Sequence, residues 1–204
     1  MHLRKIIIVL LLAAIAAGAG AGLARAGVVW FMMTWEPSIA VGDTRKYIDS
    51  PGYIGFGVEG RSFQNRNLAW TVSAAWHNMY QTTDDLIQID NITISGTQVR
   101  YLDFVPLLVG TDYHFLDRGR RIRPFVGIAG GAYWVSQKTD IGTVEVIINK
   151  KWHVGVAPEV GITFLTPDLE FYGFISSDFN YIFSRGDSID YTYVTIKLGF
   201  VYLL

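Results

Sequence analysis

Eight long stretches in which apolar and polar residues alternate follow one another along this 204-residue chain, and they restrict its fold more than any other feature. Alternation with a period of two residues is typical of β-strands that bury one face and expose the other. Strands of globular proteins average about 5–6 residues, whereas a strand that crosses a membrane needs about 9–11. The stretches are residues 29–41, 52–63, 68–80, 98–115, 123–137, 151–165, 170–183 and 191–204. Their number and length predict a membrane-spanning barrel.

The two faces of these stretches differ in chemistry, and this difference orients the strands. In residues 151–165, Trp152 and Phe164 share one face, while His153 and Glu159 share the other with small residues. A basic side chain on the lipid face at the membrane midplane costs about 2–4 kcal/mol. We therefore expect the ionisable faces to line the lumen, which is the reverse of a water-soluble barrel. A secreted β-sandwich is the alternative fold.

The side chains expected in the lumen form a polar network. Its members are Glu36, Glu59, Arg61, His77, His153, Glu159, Asp178 and Lys197, with Asp103 as a further candidate. An eight-stranded barrel is just wide enough for side chains to fill its interior, and ion pairing reduces the cost of burying charge. The first interpretation is therefore a packed polar plug. The alternative is a narrow path for water or ions, gated where Arg61 or Lys197 pairs with an acidic neighbour.

The connections between the stretches alternate in length, as they do in outer-membrane barrels. Residues 64–67, 116–122 and 166–169 are short connections, and residues 81–97 and 138–150 are longer. We expect the short turns and both chain termini on the periplasmic side. Aromatic residues near the strand ends predict two interfacial girdles. They are Trp76, Tyr80, Trp134, Trp152 and Tyr181 toward the loops, and Phe63, Trp70, Phe115, Phe125, Phe164, Phe171 and Tyr202 toward the turns.

For two stretches the alternation does not show which face points to the lumen. Residues 123–137 are apolar on both faces through much of their length. In residues 98–115, Pro106 cannot donate a ladder hydrogen bond and indicates a bulge, so the register beyond it stays open.

The N-terminal segment, residues 1–26, has the pattern of a secretory signal peptide. Arg4 and Lys5 precede an apolar run over residues 6–17, and Ala24-Arg25-Ala26 matches a small-x-small cleavage site. The pattern predicts export, with residues 27–204 as the single remaining domain; a retained N-terminal membrane helix is the alternative. Beyond Gly27 no apolar run approaches the ~18 residues of a helical span.

Composition excludes several classes of function. The formal net charge is −1, which disfavours a nucleic-acid partner, and the chain contains no cysteine. Without cysteine, and with no histidine pair at ligand spacing, we expect neither a metal site nor a cofactor. Lipid A deacylases of similar size use a Ser–His–carboxylate arrangement, but no His-x-Ser sequence occurs here. We expect no enzymatic activity; a lipid A-modifying enzyme ranks third, after a structural or surface-interaction role and a narrow pore.

A basic cluster marks the turn at residues 116–122. Arg118, Arg120, Arg121 and Arg123 lie in or beside it. We expect a solvated periplasmic turn that meets anionic headgroups. Contact with an acidic periplasmic partner is the alternative.

The loop at residues 81–96 carries acidic residues and no basic one. Asp84 and Asp85 precede an apolar-alternating piece at residues 86–94, and Asp90 interrupts it. The pattern predicts a hairpin that protrudes past the membrane and is a candidate for binding a partner by strand addition. The alternative is a solvated hairpin without a partner.

Three segments carry a resemblance to a known superfamily. They are Tyr101-Leu102-Asp103-Phe104-Val105-Pro106-Leu107-Leu108, the run from Arg123-Pro124-Phe125 to Gly130-Gly131, and the alternating C-terminus that ends Phe200-Val201-Tyr202-Leu203-Leu204. Nearly all of residues 27–204 resembles the eight-stranded outer-membrane β-barrel superfamily, that is the OmpA/OmpX/OmpW-like, porin-like barrels.

The resemblance implies a fold, a location and partners. The fold is all-β, a single eight-stranded antiparallel up-and-down transmembrane barrel in a Gram-negative outer membrane. The expected partners are outer-membrane lipid, lipopolysaccharide and the barrel assembly machinery, which reads the C-terminal strand, and a monomer is favoured. That strand signal commonly ends in Phe, whereas this chain ends in Leu204.

Overall fold

A computed structural model describes residues 29–83, 86–89, 92–95, 97–116, 120–141, 144–165, 172–184 and 189–203. The predicted signal peptide lies outside these ranges. So do Asp84, Asp85, Asp90 and Arg118 among the candidate interaction residues.

The described chain is almost entirely β-structure. Its elements are β1 (Val29–Trp35), β2 (Ser38–Val41), α1 (Gly42–Tyr47), β3 (Ile54–Phe63), β4 (Leu68–Thr83), β5 (Leu86–Ile89), β6 (Ile92–Ser95), β7 (Gln98–His114), β8 (Ile122–Ile141), β9 (Val144–Leu165), β10 (Tyr172–Ile182) and β11 (Tyr191–Leu203). The ring order is β1-β3-β4-β7-β8-β9-β10-β11, and β1 pairs back with β11 to close it. All neighbours are antiparallel. The predicted eight-stranded antiparallel barrel is confirmed.

The first wall strand is broken rather than continuous, contrary to the prediction for residues 29–41. β1 and β2 both pair with β11, in registers that include Trp35↔Leu198 and Ser38↔Thr195. Between them, Pro37 has no N–H to donate to a ladder, although its carbonyl accepts a hydrogen bond from Ile196 N at 2.9 Å. The strand therefore keeps one register with β11 on both sides of the break, while its ladder with β3 ends at Trp35↔Phe56.

The predicted faces are confirmed where the alternation is clear. In β9, Trp152, Val154 and Ile162 are exposed on the outer surface, whereas His153 and Thr163 are buried in the lumen. An apolar exterior around a polar interior is the arrangement of a lipid-embedded barrel. In the described residues no helix is long and apolar enough to cross a membrane.

Two predicted girdle residues lie inside the barrel instead. Phe63 and Phe125 are almost fully buried in the lumen. Phe63 lies two residues after Arg61, so period-two alternation gives both the same face. No bulge shifts the register at Pro106, because β7 keeps one register with β8 through Pro106↔Tyr133, but the ladder with β4 is interrupted between Ala74↔Leu107 and His77↔Phe104.

One side of the barrel is much taller than the other. The outer ends of β4, β7, β8 and β9 stay paired up to Thr83↔Gln98, Gln98↔Ile141 and Ile141↔Val144. By contrast, the described pairing of β9 with β10 ends at Gly155↔Ile182. We call the four extended strand ends the protruding sheet (residues 78–83, 98–103, 136–141 and 144–151). Most of the predicted loop at residues 138–150 is therefore strand.

Candidate functional site

The centre of the lumen holds a cluster of charged side chains, which are buried except for Glu159, whose side chain is 9% exposed. Arg61 Nε lies 2.6 Å from Glu59 Oε1 and 3.0 Å from Asp112 Oδ2. Its Nη2 lies 3.3 Å from Glu159 Oε1. The guanidinium also stacks 4.2 Å from the centre of the Phe125 ring. Arg61 thus joins three carboxylates from three strands.

Lys197 is the second cation of this cluster. Its Nζ lies 2.7 Å from Asp178 Oδ2, 3.4 Å from Glu59 Oε2 and 3.7 Å from Glu159 Oε1. Glu59 and Glu159 therefore bridge the two cations. The structure brings together five predicted residues in this central cluster, which comprises Glu59, Arg61, Asp112, Glu159, Asp178 and Lys197.

Asp112 is the member that the sequence did not identify. It lies on β7 beyond Pro106, where a bulge would have changed its face. The carboxylate oxygens of Glu59, Asp112 and Glu159 lie within 4.8 Å of one another, a spacing that also suits a metal ion. In this structure Arg61 supplies positive charge to all three.

Glu36 and His77 form a separate pair on the loop side of the cluster. His77 Nε2 lies 2.6 Å from Glu36 Oε2, and Thr34 Oγ1 donates to Glu36 Oε1 at 2.5 Å. His77 Nδ1 hydrogen-bonds the hydroxyl of Tyr193 at 3.0 Å. Both predicted residues are thus lumenal and fully partnered.

His153 belongs to a different polar group near the external mouth. Asn149 Nδ2 lies 3.0 Å from His153 Nε2 and donates to the Tyr191 hydroxyl at 2.9 Å. Tyr191 in turn donates to Gln137 Oε1 at 2.7 Å. The predicted network is therefore divided into three groups rather than continuous.

Asp103 faces outward, unlike the other candidates. It accepts a hydrogen bond from Asn78 Nδ2 at 2.7 Å, and both side chains are partly buried. Its β7 neighbours Leu102 and Phe104 are the ones that face the lumen.

An apolar layer fills the turn side of the lumen, below the central cluster. Its buried residues are Trp30, Met32, Phe63, Ala69, Phe125, Phe174 and Val201. This layer separates the charged cluster from the short turns.

Arg123 corrects the prediction of a solvated basic turn. Its side chain is 1% exposed and donates to the carbonyl oxygens of Leu116 and Arg66 at 3.0 and 3.2 Å. It shares the lumenal face of β8 with Phe125, since the two positions differ by two residues. Arg120 and Arg121, which precede β8, are exposed as predicted.

The short helix α1 lies across the external mouth, and the sequence did not predict it. Its Tyr47 hydroxyl donates to Lys138 O at 2.7 Å, and burial raises the pKa of that hydroxyl. Thr44 Oγ1 accepts from Thr192 N at 2.7 Å. Ile48, directly after the helix, is fully buried in the mouth-side core. These contacts hold α1 against β8 and β11 at the external mouth.

A hydrogen-bonded clamp closes the base of the loop between β10 and β11. Tyr181 donates its hydroxyl to Asp190 Oδ2 at 2.7 Å, and Ser184 N donates to Asp190 Oδ1 at 2.6 Å. The Tyr181 hydroxyl first, and then Ser184, hold the pKa of the Asp190 carboxyl below its usual value.

Solved structures of bacterial proteins include two with a similar fold. The crystal structure of Neisserial surface protein A matches with a TM-score of 0.51 at 13% identity, over 87% of this chain and 95% of that one. Ail, the attachment invasion locus protein of Yersinia pestis, matches with a TM-score of 0.51 at 12% identity, over 87% and 99%. No protein-family model and no curated protein sequence matches the chain. The fold of this chain is that of the eight-stranded outer-membrane β-barrels.

Proposed function

We propose that this chain is an integral outer-membrane protein that acts without catalysis, as a surface-interaction barrel of the adhesion type. The lumen serves as a structural plug, and the protruding sheet presents the binding surface to the outside. A shared fold with two bacterial surface barrels supports the location. The name of one of them refers to attachment.

Because the lumen is filled with side chains, a structural plug is better supported than a narrow path for ions. Arg61 and Lys197 are buried and bridged by shared carboxylates. On the turn side, the apolar layer that contains Trp30 and Phe125 packs against Arg61. An ion moving through the described lumen would have to displace both layers.

The observation that carries the proposed interaction is the outer edge of β9. Among the described residues, no strand pairs with this edge over residues 144–151. An unpaired strand edge is a template for an extended peptide, which it binds by backbone hydrogen bonds. We infer that the partner is an extended polypeptide segment.

Lys150 offers a way to test the edge through its backbone alone. Val154 O accepts from Phe183 N at 2.9 Å, so the backbone groups of Val154 point toward β10. Alternate residues of a strand direct their backbone groups to the same side, and the N–H of Lys150 therefore points to the free edge. Proline is tolerated where a strand N–H faces solvent.

The experiment compares Lys150→Pro with Lys150→Ala in bacteria that display the chain. Binding of the cells to immobilised laminin, collagen and fibronectin is measured, with cells that lack the chain as the baseline. We expect binding of at least one of these proteins above the baseline, loss in Lys150→Pro and retention in Lys150→Ala, which keeps the N–H. Equal binding by the two variants would overturn the edge as the binding surface.

Membrane fractionation and gel mobility before and after boiling test the location and fold of the same samples. A folded barrel that is recovered in the outer-membrane fraction supports the proposal. Recovery of the folded chain in the soluble periplasmic extract, without detergent, would contradict it.

A further inference from the structure

A cavity of about 710 Å³ opens at the external mouth, between α1 and the concave face of the protruding sheet. Its walls combine polar side chains with two aliphatic ones. They are Asp43, Lys46, Tyr47, Gln98, Arg100, Gln137, Thr139, Ile148 and Ile189. Pockets for small molecules commonly measure about 300–1,000 Å³, so this cavity has the size of a ligand site.

Hydrogen bonds hold the walls of this cavity in place. The Tyr47 hydroxyl lies 2.7 Å from Lys138 O and 2.9 Å from Thr139 Oγ1, which fixes α1 against β8. Arg100 Nη1 donates to Tyr47 O at 3.1 Å, which fixes the helix against β7. The site is therefore formed before any ligand arrives, and binding needs little rearrangement.

Arg100 is the chemical centre of the cavity. It is partly buried, and the hydrogen bond to Tyr47 O uses one of its five N–H groups. Among the described residues no carboxylate pairs with it, whereas the nearby Lys46 is paired with Asp43 at 2.6 Å. A guanidinium in this state has a fork of donors left to bind an anion.

We propose that this cavity binds a small organic anion, whose carboxylate or phosphate is bound by Arg100. The amide of Gln137 and the hydroxyl of Thr139, which also line the cavity, provide hydrogen bonds to a polar carbon skeleton. Ile148 and Ile189, which line the same cavity, provide apolar contact. This site lies on the concave face of the sheet and does not depend on the proposed strand addition at the edge of β9.

Three matched sugars test the proposal: glucuronate, glucose 6-phosphate and glucose. Each is titrated at constant ionic strength into the refolded full chain in neutral detergent, and the methyl resonances of Ile148 and Ile189 are followed by NMR. We expect saturable shifts with one or both anions, and binding of glucose at least about tenfold weaker. Comparison of the two anions separates a carboxylate site from a phosphate site. Equal binding of all three sugars, or of none, would overturn the proposal.

Arg100→Gln and Arg45→Gln form a matched pair of variants. Both remove one positive charge near the mouth, but Arg45 lies outside the cavity and pairs with Asp49. We expect Arg100→Gln to weaken anion binding at least about tenfold and Arg45→Gln to leave it unchanged. Equal losses in both variants would mean general charge attraction and would overturn the site. Heat-dependent gel mobility verifies that each variant is folded. The comparison of the three sugars uses the unmodified chain and therefore does not depend on the folding of the variants.

Discussion

Arg61 on β3 and Glu159 on β9 meet across the lumen, with 3.3 Å between Nη2 and Oε1. The two strands lie four places apart in a ring of eight, so this ion pair spans the barrel from one wall to the opposite wall. Glu159 also lies 3.7 Å from Lys197 on β11. A single carboxylate therefore connects three strands that share no backbone pairing.

Glu159→Ala should destabilise the barrel. The substitution removes a carboxylate shared by two buried cations, and breaking a buried ion pair costs about 3–5 kcal/mol. The free energy of unfolding is measured by denaturant titration of protein refolded in lipid vesicles, with tryptophan fluorescence as the signal. Asp43→Ala is the control, because Asp43 forms an exposed pair with Lys46 and such pairs contribute about 0–1 kcal/mol. If both variants unfold at the same denaturant concentration as the parent, the plug has no structural role.

Neutralising Asp112 should destabilise the barrel less than neutralising Arg61. Four carboxylates (Glu59, Asp112, Glu159 and Asp178) surround the cations Arg61 and Lys197. Asp112→Asn removes part of this acidic excess with nearly the same shape, so we expect stability close to that of the parent. Arg61→Gln removes the cation that contacts Glu59, Asp112 and Glu159. Within the described lumen, Glu59 and Glu159 keep their contacts with Lys197 but Asp112 does not have one, and we expect a loss of about 3–5 kcal/mol. The same unfolding titration compares them, and an equal cost for the two variants would refute the argument from charge balance.

The fold and most of the lumen-facing residues could be predicted from one property of the sequence. This property is the alternation of apolar and polar residues along each strand. In β9 the alternation of Trp152, His153 and Val154 leaves a single orientation, and the structure confirms it. In β8 the same reasoning fails, because Phe125 and Val126 are both apolar and period two no longer distinguishes the faces. The sequence alone therefore places Arg123 in a solvated turn, whereas the structure buries it in the lumen.

The external mouth could not be predicted, because tertiary contacts form it. α1 has only six residues, and a helix that short has little stability of its own in water. The buried Ile48 and the bonds from Tyr47 and Thr44 to distant strands hold it in place. Local sequence patterns do not predict such tertiary contacts. The cavity that contains Arg100 depends on these contacts and could not be predicted either.

The refolded protein should show no reproducible single-channel steps in planar bilayers. The central cluster and the apolar layer around Phe63 and Phe125 fill successive levels of the described lumen. Lys197→Gln serves as a probe, since Lys197 contacts three acidic side chains of the central cluster. Reproducible steps in the parent that change in Lys197→Gln would favour the narrow path over the plug.

The clamp between Tyr181 and Asp190 should open as the pH falls. Hydrogen bonds from the Tyr181 hydroxyl and Ser184 N lower the pKa of Asp190 in the folded state, relative to about 3.9 for an unperturbed aspartate. A lowered folded-state pKa stabilises the clamp above the unfolded pKa, and this stabilisation is lost as the pH falls through the folded-state value. NMR titration of the Asp190 carboxyl should give a midpoint below the ordinary value in the parent and a higher midpoint in Tyr181→Phe. Tyr53→Phe, which removes the hydroxyl of an exposed tyrosine elsewhere, should leave the midpoint unchanged, and an unshifted midpoint in Tyr181→Phe would show that the clamp bond is not formed.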